Sequence, residues 1–301
     1  MRTAPTAADV TAATIRVKQH VRRTPLLRTD IDGRPLMLKL EHLQRSGSFK
    51  LRGAVNALLS GPLPERVVTA SGGNHGLGVA TAARALGVPA VIYVPDNVPE
   101  AKAAGIEAAG AKLVRHGSAY AEAAAAALAV AEQPGTRYLH AYDDANVIAG
   151  QGTVTAEIVA DAPDVDAIAV AVGGGGLASG ATLAADGRQV FAVEPEHCQA
   201  LHSALTAGEP VDVAIDSVAA SALGATRVGE LAFGLLNSPA VTSVLVSDAE
   251  IIAARDLLWR DFRLAVEPAA AAPLAAWLAG RIPAELPCLV LCGANTSVTF
   301  A

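Results

Sequence analysis

Short apolar, β-branched runs alternate with helical segments along most of the chain, and this alternation constrains the fold more than any other feature. Runs at residues 67–70, 90–94, 112–115, 167–172, 190–193, 243–246 and 288–291 read as strands. Helical stretches at 75–86, 99–109, 118–132, 177–185 and 248–259 lie between them. The expected class is α/β, with parallel, doubly wound sheets covered by helices on both faces. Ahead of the alternation, Val10, Thr14, Val17 and Val21 follow a Thr6 cap with Asp9 three residues on, which predicts an amphipathic first helix ending before Thr24-Pro25. At roughly 150 residues per domain, 301 residues suggest about two domains. Gly61-Pro62-Leu63-Pro64-Glu65 marks one crossing, and Ala149-Gly150-Gln151-Gly152 reads as a second break before a new helix. These place a small domain at 63–148 inside a larger one made of 1–62 and 149–301.

Composition removes several function classes. With 52% hydrophobic and 17% charged residues the chain can bury a large core and is not a disordered protein. Lys plus Arg number 23 against 29 Asp plus Glu, a net charge of −6, so no basic field is available for nucleic acid or anionic lipid. The positive mean hydropathy of +0.37 comes largely from alanine, and runs such as 121–131 fall short of the ~20 apolar residues of a membrane span. The charged amino terminus lacks an apolar signal core, which predicts a cytoplasmic protein. Cys198, Cys288 and Cys292 are odd in number and without metal-ligand spacing, which fits a reducing compartment.

Four places have the residue types that chemistry requires. Gly173 to Gly176 follow an apolar strand and precede a helix, where free N–H groups favour an anion. A phosphate cradle, an ordinary glycine-rich turn and a dinucleotide site are all compatible with this, although GGGGLASG departs from GxGxxG. Lys50 in SGSFKLRGA follows an aromatic and small polar residues. Most lysines are solvated surface charges, but one desolvated in this way has a lowered pKa and an amine able to attack an aldehyde. In Ser71-Gly72-Gly73-Asn74-His75-Gly76, Asn74 is a candidate helix cap, and a carboxylate over the same N–H groups is the functional alternative. Cys292 closes LPCLVLC before the turn GAN, a position usual for a buried structural cysteine.

Together, SGSFKLRGA, SGGNHG, AGQGT, VGGGGLASG and LCGAN stand in the order and approximate spacing of the tryptophan synthase beta-like, fold-type II pyridoxal-phosphate enzymes, and the chain resembles a serine/threonine dehydratase over residues 15–299. RTPL, ALGVPA, AVEPE and VEPAAA support the resemblance. It implies pyridoxal 5'-phosphate held by Lys50 as a Schiff base, with the freed amine later taking the Cα proton. It further implies phosphate on Gly173, Gly174, Gly175 and Gly176, Phe49 against the pyridine ring, Asn74 on the 3' oxygen, and Cys292 facing the ring nitrogen. A thiol supplies no firm negative charge there, so the ring nitrogen stays largely unprotonated and prompt loss of a β leaving group is favoured. Ser71, Asn74 and the His75 backbone would receive the substrate carboxylate, and a small hydroxy amino acid, L-threonine or L-serine, would leave as a 2-oxo acid and ammonia.

Other implications concern departures from the family pattern. Gly72 stands where the racemases of the group carry a serine, so racemization is expected to be minor. Glu194 matches the first ligand of the group's divalent-cation site, but Ala200 replaces an Asp, which disfavours Mg²⁺ or Ca²⁺ and leaves a carbonyl-held monovalent ion open. Ser221 and Gly224 are expected near the cofactor, while Glu267 is read equally as a pocket residue or a surface helix cap. Most of the group are dimers, and a homodimer is expected. No carboxy-terminal effector domain is expected after Cys292. Racemization, β-replacement, hydroxyaspartate dehydration and a non-catalytic ligand-binding role remain the competing functions.

Overall fold

A computed structural model describes residues 3–296; the extreme ends of the chain, including 297–299 of the resembling stretch, lie outside the described residues. The strands are β1 (Leu26–Ile31), β2 (Arg34–Lys39), β3 (Arg66–Ala70), β4 (Ala90–Val94), β5 (Lys112–Arg115), β6 (Thr136–Tyr138), β7 (Ala167–Ala171), β8 (Gln189–Pro195), β9 (Val241–Val246) and β10 (Pro287–Val290). The helices are α1 (Ala7–Val17), α2 (Lys50–Leu59), α3 (Asn74–Leu86), α4 (Glu100–Ala108), α5 (Tyr120–Ala131), α6 (Ala145–Asp161), α7 (Gly176–Ala184), α8 (Ala200–Ala207), α9 (Ala220–Leu223), α10 (Glu230–Leu236), α11 (Asp248–Phe262) and α12 (Pro268–Leu278).

Two sheets result. Six strands take the order β1-β2-β10-β7-β8-β9, and four take the order β5-β4-β3-β6. The pairings are parallel except at one edge, where β1 and β2 form an antiparallel hairpin. Asp32 and Gly33 turn that hairpin with φ of +53° and +73°, the left-handed geometry that an Asp-Gly pair adopts readily. The parallel strands are buried on both faces: every residue of β7 and β10 is buried, as expected beneath helices. One core surrounds the larger sheet, and a second around the smaller sheet includes Leu51, Val55 and Leu58 from one face of α2. Among the described residues no helix is long and apolar enough to cross a membrane.

Local signals hold at the start of the chain. Thr6 and Asp9 form a reciprocal capping box at α1, which buries Val10, Ala13 and Val17. The expected break at Ala149-Gly150-Gln151-Gly152 is not one, because these residues lie inside α6. The glycines serve close packing of helices. A Cβ on Gly150 would sit 2.7 Å from the Arg52 carbonyl oxygen, and one on Gly152 would sit 2.8 Å from that of Gly180. Tertiary contact at backbone distance therefore outweighs the intrinsic cost of glycine in a helix, about 1 kcal/mol each.

Four charged side chains join α2 to the larger sheet. Arg52 donates to both Glu41 oxygens (2.6 and 2.9 Å), to both Glu157 oxygens (2.8 and 2.9 Å), to Thr153 and to the Arg22 carbonyl. Lys39 on β2 donates to Glu157 (2.6 Å) and to the Thr24 carbonyl (2.8 Å). All four charged residues are buried. Burial alone would raise the Glu41 pKa, but the Arg52 charge and its hydrogen bonds outweigh it and hold the carboxyl below its ordinary value. Removing Arg52 leaves two carboxylates buried without their main partner, so Arg52→Met is expected to lower the unfolding free energy by about 3–5 kcal/mol. Urea denaturation measures this; an unchanged midpoint would show that the cluster does not hold α2.

Candidate active site

Loops following parallel strands from both sheets meet around the first residue of α2. β7 runs through Val172 into the glycine quartet, β3 runs into Ser71-Gly72-Gly73, and β10 runs into Cys292 through Asn295. The carboxyl ends of parallel strands are where open α/β sheets bind ligands. A narrow pocket there is lined by Phe49, Lys50, Asn74, Gly173 to Gly176 and Cys292, together with Tyr142, Leu223 and Glu267. A wider adjoining cleft is lined by Lys50, Ser71, Gly72, Asn74 and His75, and also by Ser221 and Gly224. The expected residues are thus brought together, apart from Glu194.

The glycine loop is shaped by what lies against it. Gly175 has φ +93°, and a Cβ on Gly174 would fall 2.3 Å from the Tyr142 ring. The first bond of α7 runs from the Ser179 N–H to the Gly175 carbonyl at 2.9 Å, so the N–H groups of Gly176, Leu177 and Ala178 precede it and carry the positive end of the helix. That arrangement suits a phosphate.

Lys50 is partly buried along its length, with its amine end enclosed. Its Nζ donates to the Ala141 carbonyl at 2.9 Å and lies 5.1 Å from the Phe49 ring centroid. Burial lowers its pKa to about 8, against the opposing influence of Cys292 and Glu267. α3 fixes the backbone beneath it: a Cβ on Gly78 would stand 3.1 Å from atoms of Lys50. Burial also pushes the Cys292 thiol well above its ordinary value, so this side chain is neutral.

Asn74 does not cap its helix. The cap position of α3 is Gly73, without a side-chain bond, and Asn74 is instead engaged by tertiary partners. Its Nδ2 donates to Glu267 Oε1 at 2.7 Å, and its Oδ1 accepts from Asn295 Nδ2 at 2.6 Å. The surface-cap alternative for Glu267 thereby falls away: the residue is 4% exposed and lines the pocket. Ser71 Oγ accepts from the Gly73 N–H at 3.2 Å, which shapes the turn into α3. The His75 ring is held by β3 and the segment after β6, its Nε2 within 3.1 Å of the Leu139 carbonyl and 3.0 Å of Thr69 Oγ1. Because a carbonyl only accepts, Nε2 carries the hydrogen. Burial, with the Lys50 charge adding to it, lowers the His75 pKa to about 3 and keeps the ring neutral.

Glu194 is engaged elsewhere. Its two oxygens accept from the Leu201 and His202 N–H groups, 2.8 Å each, at the start of α8. Burial raises its pKa to about 8 against those two bonds. No group of three or more His, Cys, Asp or Glu able to hold a metal occurs among the described residues.

Three contributors were not assigned roles from sequence. Tyr142 and Leu223 carry no motif of their own, and Asn295, although within LCGAN, is recognisable only once Asn74 is seen opposite it.

Comparison with known proteins agrees with this geometry. A family model described as "Pyridoxal-phosphate dependent enzyme" matches residues 17–293. An L-threonine ammonia-lyase of Geobacter sulfurreducens is 37% identical over 278 residues, covering 89% of this chain and 69% of the relative. A serine racemase of Arabidopsis thaliana is 32% identical, covering 94% and 91%. The crystal structure of a threonine deaminase from T.th. superposes with a TM-score of 0.92 at 35% identity, covering 98% of this chain and 100% of that one. With Lys50 and the glycine loop lining one pocket and these matches across nearly its whole length, the chain belongs to the fold-type II pyridoxal-phosphate dependent enzymes.

Proposed function

We propose that the protein is a lyase that removes ammonia from L-threonine or L-serine, leaving a 2-oxo acid. One water is lost with the β-hydroxyl and one is taken up when ammonia departs. The observation that carries this reading is that the Lys50 amine lines the glycine pocket and opens onto a cleft in which position 72 holds no acid. A Cβ on Gly72 would stand 2.8 Å from Val98 Cγ2, so the space a serine would need is already filled. Racemization requires a second proton donor, and this supports elimination over it.

Pyridoxal phosphate, when bound, supplies an aldehyde for the amine and a ring that withdraws electrons from Cα. The chain's own residues do the rest. The N–H groups following Gly175 would bind the phosphate, and Phe49 and Tyr142 would exclude water beside it. Lys50 Nζ would hold the aldehyde and then accept the Cα proton, a task suited to a base with pKa near working pH. The open N-terminus of α3, shaped by Ser71, would bind the substrate carboxylate at the Asn74 and His75 N–H groups. The neutral Cys292 places no negative charge in the pocket.

A turnover panel of L- and D-serine, L- and D-threonine and 3-hydroxyaspartate tests the assignment. The reading expects ammonia and 2-oxo acid to form fastest from an L-hydroxy amino acid without a second carboxylate. D-serine accumulating from L-serine faster than pyruvate would overturn it. A second expectation follows from the lowered pKa of Lys50. In cofactor-free protein its acetylation by acetic anhydride should rise with pH only to about 8 and then level off. A rise continuing to ~10.4, as for an ordinary lysine, would show a solvated amine.

A further inference from the structure

The amide of Asn74 has two donors and one oxygen, and its neighbours leave it one orientation. Glu267 Oε1 accepts an N–H from Asn74 Nδ2 at 2.7 Å; burial raises the pKa of this carboxyl, and the Asn74 bond and the Lys102 and Lys50 charges oppose that rise. Asn295 must donate on the other side, because its own Nδ2 also reaches the Ser46 carbonyl at 3.1 Å, and it meets Asn74 Oδ1 at 2.6 Å. One N–H of Asn74 is left uncommitted by these partners, on a side chain that lines the pocket with Lys50 and Cys292.

Glu267 is itself held tightly. Its backbone N–H donates to the Gly293 carbonyl at 3.1 Å, and α12 starts directly after it. A Cβ on residue 293 would fall 2.4 Å from Oε1, so only glycine there lets the carboxylate reach Asn74. Swapping the two ends of the Asn74 amide would bring its oxygen against this carboxylate and its NH₂ against a donor, replacing two attractions with two repulsions.

We propose that Glu267 is a positioning residue: by fixing the Asn74 amide it turns the remaining amide N–H toward the cofactor oxygen that the family resemblance assigns to Asn74. This rests on reading the pocket as the cofactor's. Glu267 touches no reacting atom in this scheme. Its task is to set the orientation of the amide by offering an acceptor oxygen at a fixed place.

The test measures cofactor affinity and the visible circular dichroism of the bound cofactor in the parent protein, Glu267→Asp, Glu267→Gln, Asn74→Ala and the Glu267→Asp/Asn74→Ala double variant. Aspartate keeps the carboxyl group but withdraws the acceptor by one methylene, so affinity should fall by about tenfold and the dichroism should change as it does in Asn74→Ala. Glutamine retains an acceptor oxygen and should recover most of the parent's affinity and signal. The double variant should bind no more weakly than Asn74→Ala alone, because both changes remove one contact. Additive losses, or an aspartate variant with the parent's affinity and dichroism, would overturn the proposal while leaving the pocket's assignment intact. A parent protein that takes up no cofactor would overturn both.

Discussion

Everything that the pocket does depends on where α2 begins, and the buried cluster of Arg52, Glu41, Glu157 and Lys39 sets that position. Two positive and two negative side chains sit away from solvent, and Arg52 uses its whole guanidinium fork on them. Such a cluster contributes little net stability compared with apolar packing, yet any single loss from it is costly. Its consequence is geometric. Arg52 lies two residues after Lys50, so the same turn of helix that is tied to β2 and α6 carries the Lys50 amine.

α2 also has a second attachment. Leu51, Val55 and Leu58 join the core of the four-stranded sheet, while Arg52 reaches towards the six-stranded one. The helix therefore packs against both sheets whose loops line the pocket: the glycine loop and Cys292 come from the larger sheet, and Ser71 to His75 come from the smaller. The electrostatics follow from the same burial. The amine, the thiol and the His75 ring are all pushed toward their neutral forms. A neutral amine is the form that attacks an aldehyde and accepts a proton.

Much of this was legible in the residues. The apolar runs of the parallel strands, the Thr6 capping box and the glycine quartet each follow from local rules that the tertiary structure leaves in force. Lys50 is surrounded as its aromatic and small neighbours suggested. Where local rules failed, long-range contact was the cause. Gly150 and Gly152 look like helix breakers, but they stand where α6 meets α2 and α7 at backbone distance, and no single-segment pattern announces a helix crossing. The Asp32-Gly33 turn was a readable hairpin signal, overshadowed by the parallel alternation around it. Asn74 had the composition of a cap, yet its partners lie about 190 to 220 residues away in sequence, beyond any spacing argument. Glu267 gains its meaning only from that partner.

If the amine at position 50 holds the cofactor, as proposed, borohydride reduction of the loaded protein followed by peptide mapping will leave a stable pyridoxyl label on Lys50 alone. A label on another lysine, or none on a protein that has demonstrably taken up the cofactor, would contradict it.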